Sequence, residues 1–442
     1  MSHELITLTM FSSLLVLMTT GQRVYGVVGF IGATAAYFLW GGNDIEMPFN
    51  ATFTVLNWFA LLTLPLFVFM GFMLSESGLA DKLYRMFHVW MGPLPGGLGI
   101  GTIGLMVLIS AMNGLSVAGM AIGASVALPQ MMQRGYDKVM VTGVIQAGSS
   151  LGILIPPSIV LVLYAMIARQ PVLQLWIAGI LPGLLMAALF TVYIYIRCRM
   201  NPKLGPPLSE DERRAEEPEK WRLLREGILP VLIFAIMMGC FMSGVTSLVE
   251  TSALGAGLAT IAAAFKGRLN GQVMESCLRQ TLSVSCMFMW IILAALCFGA
   301  VYDGLGAIKA IEKLFLSQLG FDRWTILIIM MLSFIVLGMF LDDTAMLVIV
   351  APLYIPLVKA LGFSPIWFGI LYTITCQLAY IIPPFGYNLF LMRAMAPPEI
   401  TIVDIYKSIV PFAILMIITL AIIMWIPDIA LWLPDLYSNR AR

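Results

Sequence analysis

Two stretches of this chain set groups able to hold an ion and a small anion inside otherwise apolar segments. The first, Gln146 to Ser158, reads Gln-Ala-Gly-Ser-Ser-Leu-Gly-Ile-Leu-Ile-Pro-Pro-Ser. Glycines, hydroxyls and two consecutive residues without a backbone N–H interrupt the helix there. Carbonyl oxygens released at such a break suit a hard cation such as Na⁺. The half-helix beyond the break turns its positive end toward an anion. The second stretch, Thr373 to Asn388, has the same design around Ile382-Pro383-Pro384.

Each stretch follows a polar interruption of an earlier apolar run. Ser110-Ala-Met-Asn113-Gly114-Leu-Ser116-Val-Ala-Gly119 brings small, hydroxyl and amide residues to what would be membrane depth, and Gly338-Met-Phe-Leu-Asp342-Asp343-Thr344-Ala345 is its counterpart. Adjacent carboxylates between apolar segments cost several kcal/mol unless they are paired or line a cavity, so they mark a site. Capping the start of the returning helix is the alternative use for one Asp.

These features repeat at a constant offset. Ser125 to Tyr136 aligns without a gap on Pro352 to Phe363, pairing Pro129 with Pro356 and Gly135 with Gly362, and the register carries on to the two Pro-Pro pairs. Matched interruptions in two halves of a membrane protein point to the midplane site of a secondary transporter.

Of the 442 residues, 60% are hydrophobic and 11% charged, and the mean hydropathy is +0.94. A water-soluble surface cannot be made from that composition; the chain is an all-α polytopic membrane protein. Ten charge-free runs are near the roughly 20 residues a helical span needs: Leu5 to Thr20, Val24 to Trp40, Phe53 to Leu74, Val139 to Ile167, Leu173 to Ile196, Ile228 to Thr246, Ser252 to Phe265, Leu282 to Val301, Ile366 to Met392 and Ile409 to Ile426. Leu98 to Met132 and Trp324 to Val358 exceed one span and break in the middle, as re-entrant hairpins do when their tips are buried in protein.

Residues 1–196 form the first repeat: three spans, an interfacial arm at 76–95, a hairpin at 96–132, a broken span at 139–167 and a closing span at 171–196. A charged, proline-rich linker covers 197–227. Residues 228–442 repeat the plan, with an arm at 303–320, a hairpin at 324–360, a broken span at 364–395 and a last span at 407–428. Five crossings per half is odd, so the second half enters from the opposite side, an inverted-topology repeat. With the N-terminus outside, 18 of the 25 Lys and Arg fall inside, which favours that orientation.

Ala147 to Ile159 (AGSSLGILIPPSI), with the Ser116 tip and the Arg134-Gly135-Tyr136-Asp137 turn, resembles the large membrane subunit of tripartite ATP-independent periplasmic (TRAP) transporters. Phe340-Leu341-Asp342 through Pro383-Pro384, Gly386 and Asn388-Leu389-Phe390 resembles the same family, and the similarity covers essentially the whole chain. The resemblance implies a sodium-driven elevator, in which the hairpins and broken helices move as a transport unit against a scaffold. It implies two partners in a bacterial inner membrane, a small four-helix membrane subunit and a periplasmic substrate-binding protein. The cargo it implies is a small organic anion, a carboxylate or a sulfonate, with Na⁺ as the coupling ion and no organic cofactor.

Carried over residue by residue, one sodium site takes Ser110, Asn113, Ser116, Gly152, Ile155 and Pro157, and a second takes Gly338, Asp342, Thr344, Ala379, Ile382 and Phe385. This chain departs from a common form of the second break, Gly-Leu-Leu-Thr-Pro-Pro-Val-Gly. Ala379 stands for the first Gly and Ile382 for the Thr, removing a hydroxyl ligand. The Asp342-Asp343 pair and the Pro-Pro-Phe-Gly-Tyr-Asn run resemble a branch linked to 2-oxo acids and related monocarboxylates. No Lys or Arg lies near either tip, so Ser149, Ser150, Thr344 and Asn388 are the candidate substrate contacts, their ordinary alternative being interhelical hydrogen bonding.

Other classes fit poorly. The net charge of +1 gives no reason to expect nucleic acid. Tyr302-Asp303 has no later G-x-G-D partner for an intramembrane aspartyl protease, and His3 and His88 fall outside the deep spans, so no enzyme is expected. The six cysteines form no C-x-x-C pair and read as small buried hydrophobes. Met1 to Glu4 lacks a basic start, so no cleavable leader is expected. Two rivals remain: a dicarboxylate/Na⁺ symporter-like carrier that needs no binding protein, and an ion channel.

Overall fold

Backbone polar groups in lipid must be bonded within their own segment, and the chain meets this demand with helices. The computed structural model describes every residue except 1, 2, 21, 41–45, 79–82, 84, 85, 88, 115, 117, 118, 121, 122, 208–219, 307–320, 340, 342, 384, 385, 441 and 442; for some helical positions, 110–113 and 343–345 among them, it describes the backbone only. Among the described residues there is no strand. The first half contains α1 (His3–Thr19), α2 (Val24–Leu39), α3 (Glu46–Leu56), α4 (Thr63–Glu76), α5 (Gly97–Asn113), α6 (Leu128–Gln133), α7 (Lys138–Ser150), α8 (Ile159–Ala168) and α9 (Val172–Met200). The second half contains α10 (Lys220–Met242), α11 (Leu248–Phe265), α12 (Gly271–Gly304), α13 (Arg323–Gly338), α14 (Asp343–Ala360), α15 (Pro365–Ile381), α16 (Tyr387–Met395), α17 (Ile402–Trp425) and α18 (Asp428–Arg440).

Five of the described helices, α9, α10, α11, α12 and α17, are long and apolar enough to cross a membrane on their own. Helices α7 and α8, at about 20 and 15 Å, cannot each cross a core of about 30 Å, but the broken pair can. Exposed Trp221 and Trp425 sit at the ends of their helices, where aromatic rings anchor at the interface.

The packing falls into two groups. Helix α12 lies on α2, α3 and α4, while α11 lies on α4 and α10. In the other group α7 packs on α5 and α17, and α15 packs on α13, α17 and α9. The groups meet where α4 touches α5 and where α12 touches α14.

The turn before each broken helix has the same geometry 227 residues apart. Gly135 and Gly362 have φ of +75° and +76°. Tyr136 N–H donates to Met131 O at 3.1 Å, and Phe363 N–H to Val358 O at 3.0 Å. Asp137 caps α7 by accepting from Met140 N–H, as Ser364 caps α15 by accepting from Trp367 N–H.

Several boundaries differ from those read off the hydropathy. The run Phe53 to Leu74 is not one helix: the chain turns at Asn57 and Trp58, forms a 3₁₀ turn at Phe59–Leu62 and restarts at Thr63. Pro65 has no N–H to bond backward, so it sits in the first turn of α4, where none is needed. Helix α9 runs on to Met200 and α10 starts at Lys220, so the 197–227 linker is shorter than its charge suggests. Charged residues form helix readily, and hydropathy finds only the apolar part of a helix. The last span starts at Ile402 instead of 407, because a capping box between Thr401 and Asp404 stabilises a polar first turn. The arm at 303–320 lies almost wholly outside the described residues, as do seven residues of the arm at 76–95.

Candidate functional site

The first break is built by what its prolines cannot do. An unbroken helix would bond the carbonyls of Gly152 and Ile153 to the N–H groups of residues 156 and 157, and both are prolines. Ser158 Oγ supplies the missing donor to Ile153 O and also caps α8 by accepting from Leu161 N–H at 3.2 Å. The donor that Ile155 O would meet, Ile159 N–H, turns instead to Gly114 O at 3.4 Å. The carbonyls of Gly152 and Ile155 are therefore left without a helical partner.

Gly114, directly after α5, adopts φ of +65°. A Cβ there would lie 3.0 Å from Pro157 O and 3.1 Å from Ile159 N, so the tip rests directly on the break. Ser116, two residues on, is buried.

In the second half Pro383 denies Ala379 O its helical donor, α15 ends, and Ile382 is extended. Gly338, the last residue of α13, is pressed against this break: a Cβ on it would lie 2.4 Å from Ala379 Cβ. Gly386 N–H bonds Ile382 O at 3.2 Å and α16 begins.

The two halves meet through side chains. Asn388, in the first turn of α16 and fully buried, donates its Nδ2–H to Ser116 Oγ at 3.2 Å and to Ser149 Oγ at 3.4 Å. Gln377, also fully buried, donates its Nε2–H to Ser150 O at 2.9 Å. Sequence reasoning missed Gln377, although it is the residue matched to Ser150 at the 227 offset. Among the described residues its Oε1 has no hydrogen-bond partner, nor does Oε1 of Gln146. A buried amide oxygen left open in this way is a ready acceptor.

Ser116, Ser149, Ser150 and Asn388 are thus brought together, with Pro157 against Gly114 and Gly152 and Ile155 in the same break. Gly338 and Ala379 are in contact, and Ile382 is half-buried beside them. Asp342 and Phe385 lie outside the described residues, and so do the side chains of Ser110, Asn113 and Thr344. Among the described residues no group of three His, Cys, Asp or Glu could hold a metal ion.

An all-α multi-pass membrane protein whose polar groups converge on two interrupted helices is built as a transporter permease, not an enzyme. The chain belongs to the family described as "Tripartite ATP-independent periplasmic transporter, DctM component", which it matches over residues 11–429. It is 30% identical over 380 residues to the C4-dicarboxylate TRAP transporter large permease protein DctM of Pseudomonas aeruginosa, covering 85% of this chain and 86% of that one. It is 27% identical over 406 residues to the isethionate TRAP transporter permease protein DctMQ of Oleidesulfovibrio alaskensis, covering 91% of this chain and 62% of that one. The 2,3-diketo-L-gulonate TRAP transporter large permease protein YiaN of Escherichia coli is 26% identical, with 87% and 89% covered. The YdaH transporter of Alcanivorax borkumensis shares the fold, with a TM-score of 0.59 at 16% identity over 87% of each chain.

Proposed function

We propose that the protein is the large permease of a sodium-coupled uptake system in a bacterial inner membrane. A periplasmic binding protein delivers a small organic anion to it, and a small membrane subunit completes the complex. The observation that carries this reading is the convergence of Asn388, Ser116 and Ser149: a half-helix N-terminus of one half, the hairpin region of the other and the end of a broken helix share one set of hydrogen bonds. Half-helix N-termini favour an anionic group, and the carbonyls of Gly152, Ile155 and Ala379 can serve Na⁺.

Two sodium sites, one per half, follow the two hairpin-to-break contacts. The matched turns at Gly135 and Gly362 support two inverted repeats. The two packing groups support an elevator, with α5 to α9 and α13 to α17 carrying cargo past α1 to α4 and α10 to α12. The relatives' names cover dicarboxylate, isethionate and a diketo sugar acid, so the cargo class is a carboxylate or sulfonate, with 2-oxo acids and related monocarboxylates tried first.

The test is uptake of labelled 2-oxo acids, dicarboxylates and sulfonates by proteoliposomes holding this chain and its small subunit, with and without a Na⁺ gradient and the binding protein. Uptake is expected only with both. Uptake without the binding protein would favour the symporter-like reading, and uptake indifferent to Na⁺ would favour a channel.

A further inference from the structure

Between α7, α9 and α17 lies a cavity of about 340 Å³, away from the Asn388 cluster. Its lining includes Arg197 from the end of α9 and Lys407 from the second turn of α17, with Tyr193 and Asp137 beside them and Val410 and Ile414 below. We propose that this cavity binds the headgroup of an anionic phospholipid.

Both cations are exposed. Arg197 lies one turn along α9 from Tyr193, and both line the cavity. Among the described residues Lys407 has no ion-pair partner, and the acid one turn before it, Asp404, is already held by Lys138 at 2.7 Å and by the Thr401 hydroxyl at 2.7 Å. The one carboxylate in the lining, Asp137, is occupied in capping α7, accepting from Met140 N–H at 3.0 Å. The mouth is therefore electropositive, and Arg199 and Lys203 extend the charge along the same end of α9. Basic pockets between membrane helices favour anionic lipid headgroups.

The apolar side of the cavity selects a lipid over a free anion. Val410, Ile414 and Ile417 form an exposed row down α17, and Val192 and Ile196 do the same on α9. These rows run from the level of the cations toward the helix centres, where acyl chains would lie. A free phosphate would use the cations and leave this wall uncovered. Ser408, in the same lining, accepts from Gln146 Nε2 at 3.2 Å, so the occupant borders the helix that carries Ser149 and Ser150.

The experiment equilibrates the purified full chain with vesicles of phosphatidylglycerol or phosphatidylcholine, then washes it and counts retained lipid per chain. Wild type is expected to retain phosphatidylglycerol in preference to phosphatidylcholine, and excess inorganic phosphate should not displace it. Arg197→Gln with Lys407→Gln should lower that retention about tenfold or more. Val410→Trp, which fills the cavity and leaves the charges in place, should lower it too, so the proposal stays testable if the charge variant folds poorly. Undiminished phosphatidylglycerol retention in either folded variant, equal retention of the two lipids by wild type, or complete displacement by inorganic phosphate would each overturn the proposal.

Discussion

Gln377 donates to the backbone carbonyl of Ser150 at 2.9 Å, and these two residues are 227 positions apart, the offset at which the two broken segments align. Residues equivalent in an internal repeat can touch only near the axis that relates the halves. In the inverted-repeat reading the Ser150–Gln377 contact therefore lies close to that axis, with Asn388 one helical segment away.

Gln377→Leu keeps the bulk and removes both the bond to Ser150 and the open Oε1. The lost bond costs about 1 kcal/mol of stability, while uptake should fall roughly tenfold because the open acceptor near that axis is gone. Initial uptake rates alongside thermal unfolding separate the two effects. An unchanged rate would remove Gln377 from the site.

Asn388→Ala should raise KM for the organic anion roughly tenfold or more, with a smaller change in the Na⁺ concentration giving half-maximal rate. Asn388 lies in the first turn of the half-helix α16, where an anion is favoured, whereas Ser116 belongs to the residues proposed for the first sodium site. Ser116→Ala should shift the Na⁺ titration instead. If both variants move the same parameter equally, the division between anion and cation contacts is wrong.

Gly338→Ala sets two Cβ atoms 2.4 Å apart, and overpacking of that kind costs about 1–3 kcal/mol. Ala379→Gly, which restores the glycine of the common family form, should recover most of the loss in the double variant. Thermal unfolding of the four proteins gives the coupling, expected at about 1 kcal/mol or more; simple additivity would mean the two residues do not press on each other.

Asp322 caps α13. Its carboxylate accepts from the Thr325 hydroxyl and from the N–H groups of Trp324 and Thr325, and these bonds hold its pKa below the ordinary 3.8. A depressed carboxyl stabilises the fold above its unfolded pKa, and that contribution is lost as pH falls through the folded value. The melting temperature of wild type should exceed that of Asp322→Ala at neutral pH, and the gap should close on acidification below the carboxylate range. A gap independent of pH would assign it to something other than the charged cap.

The class and the helix breaks were legible because they depend on local chemistry. A run of apolar residues declares a membrane span, and tandem prolines declare a helix that cannot bond across them, whatever surrounds it. Helix ends were less legible: the capping box at Thr401 and the break ahead of Pro65 sit where hydropathy is flat or misleading.

The sequence alone determined that two polar interruptions recur at one offset, and it placed Ser116, Ser149, Ser150 and Asn388 among the candidates. Only the tertiary structure decided that Asn388 reaches Ser116 and Ser149 across 272 and 239 residues, and that Gln377 belongs with them. The reason is physical. A side chain's own neighbours along the chain set whether it interrupts a helix, but which distant group it meets depends on how whole helices pack. Close approaches such as Gly338 against Ala379 fix that packing to within ångströms, and no pattern along one strand of sequence records it.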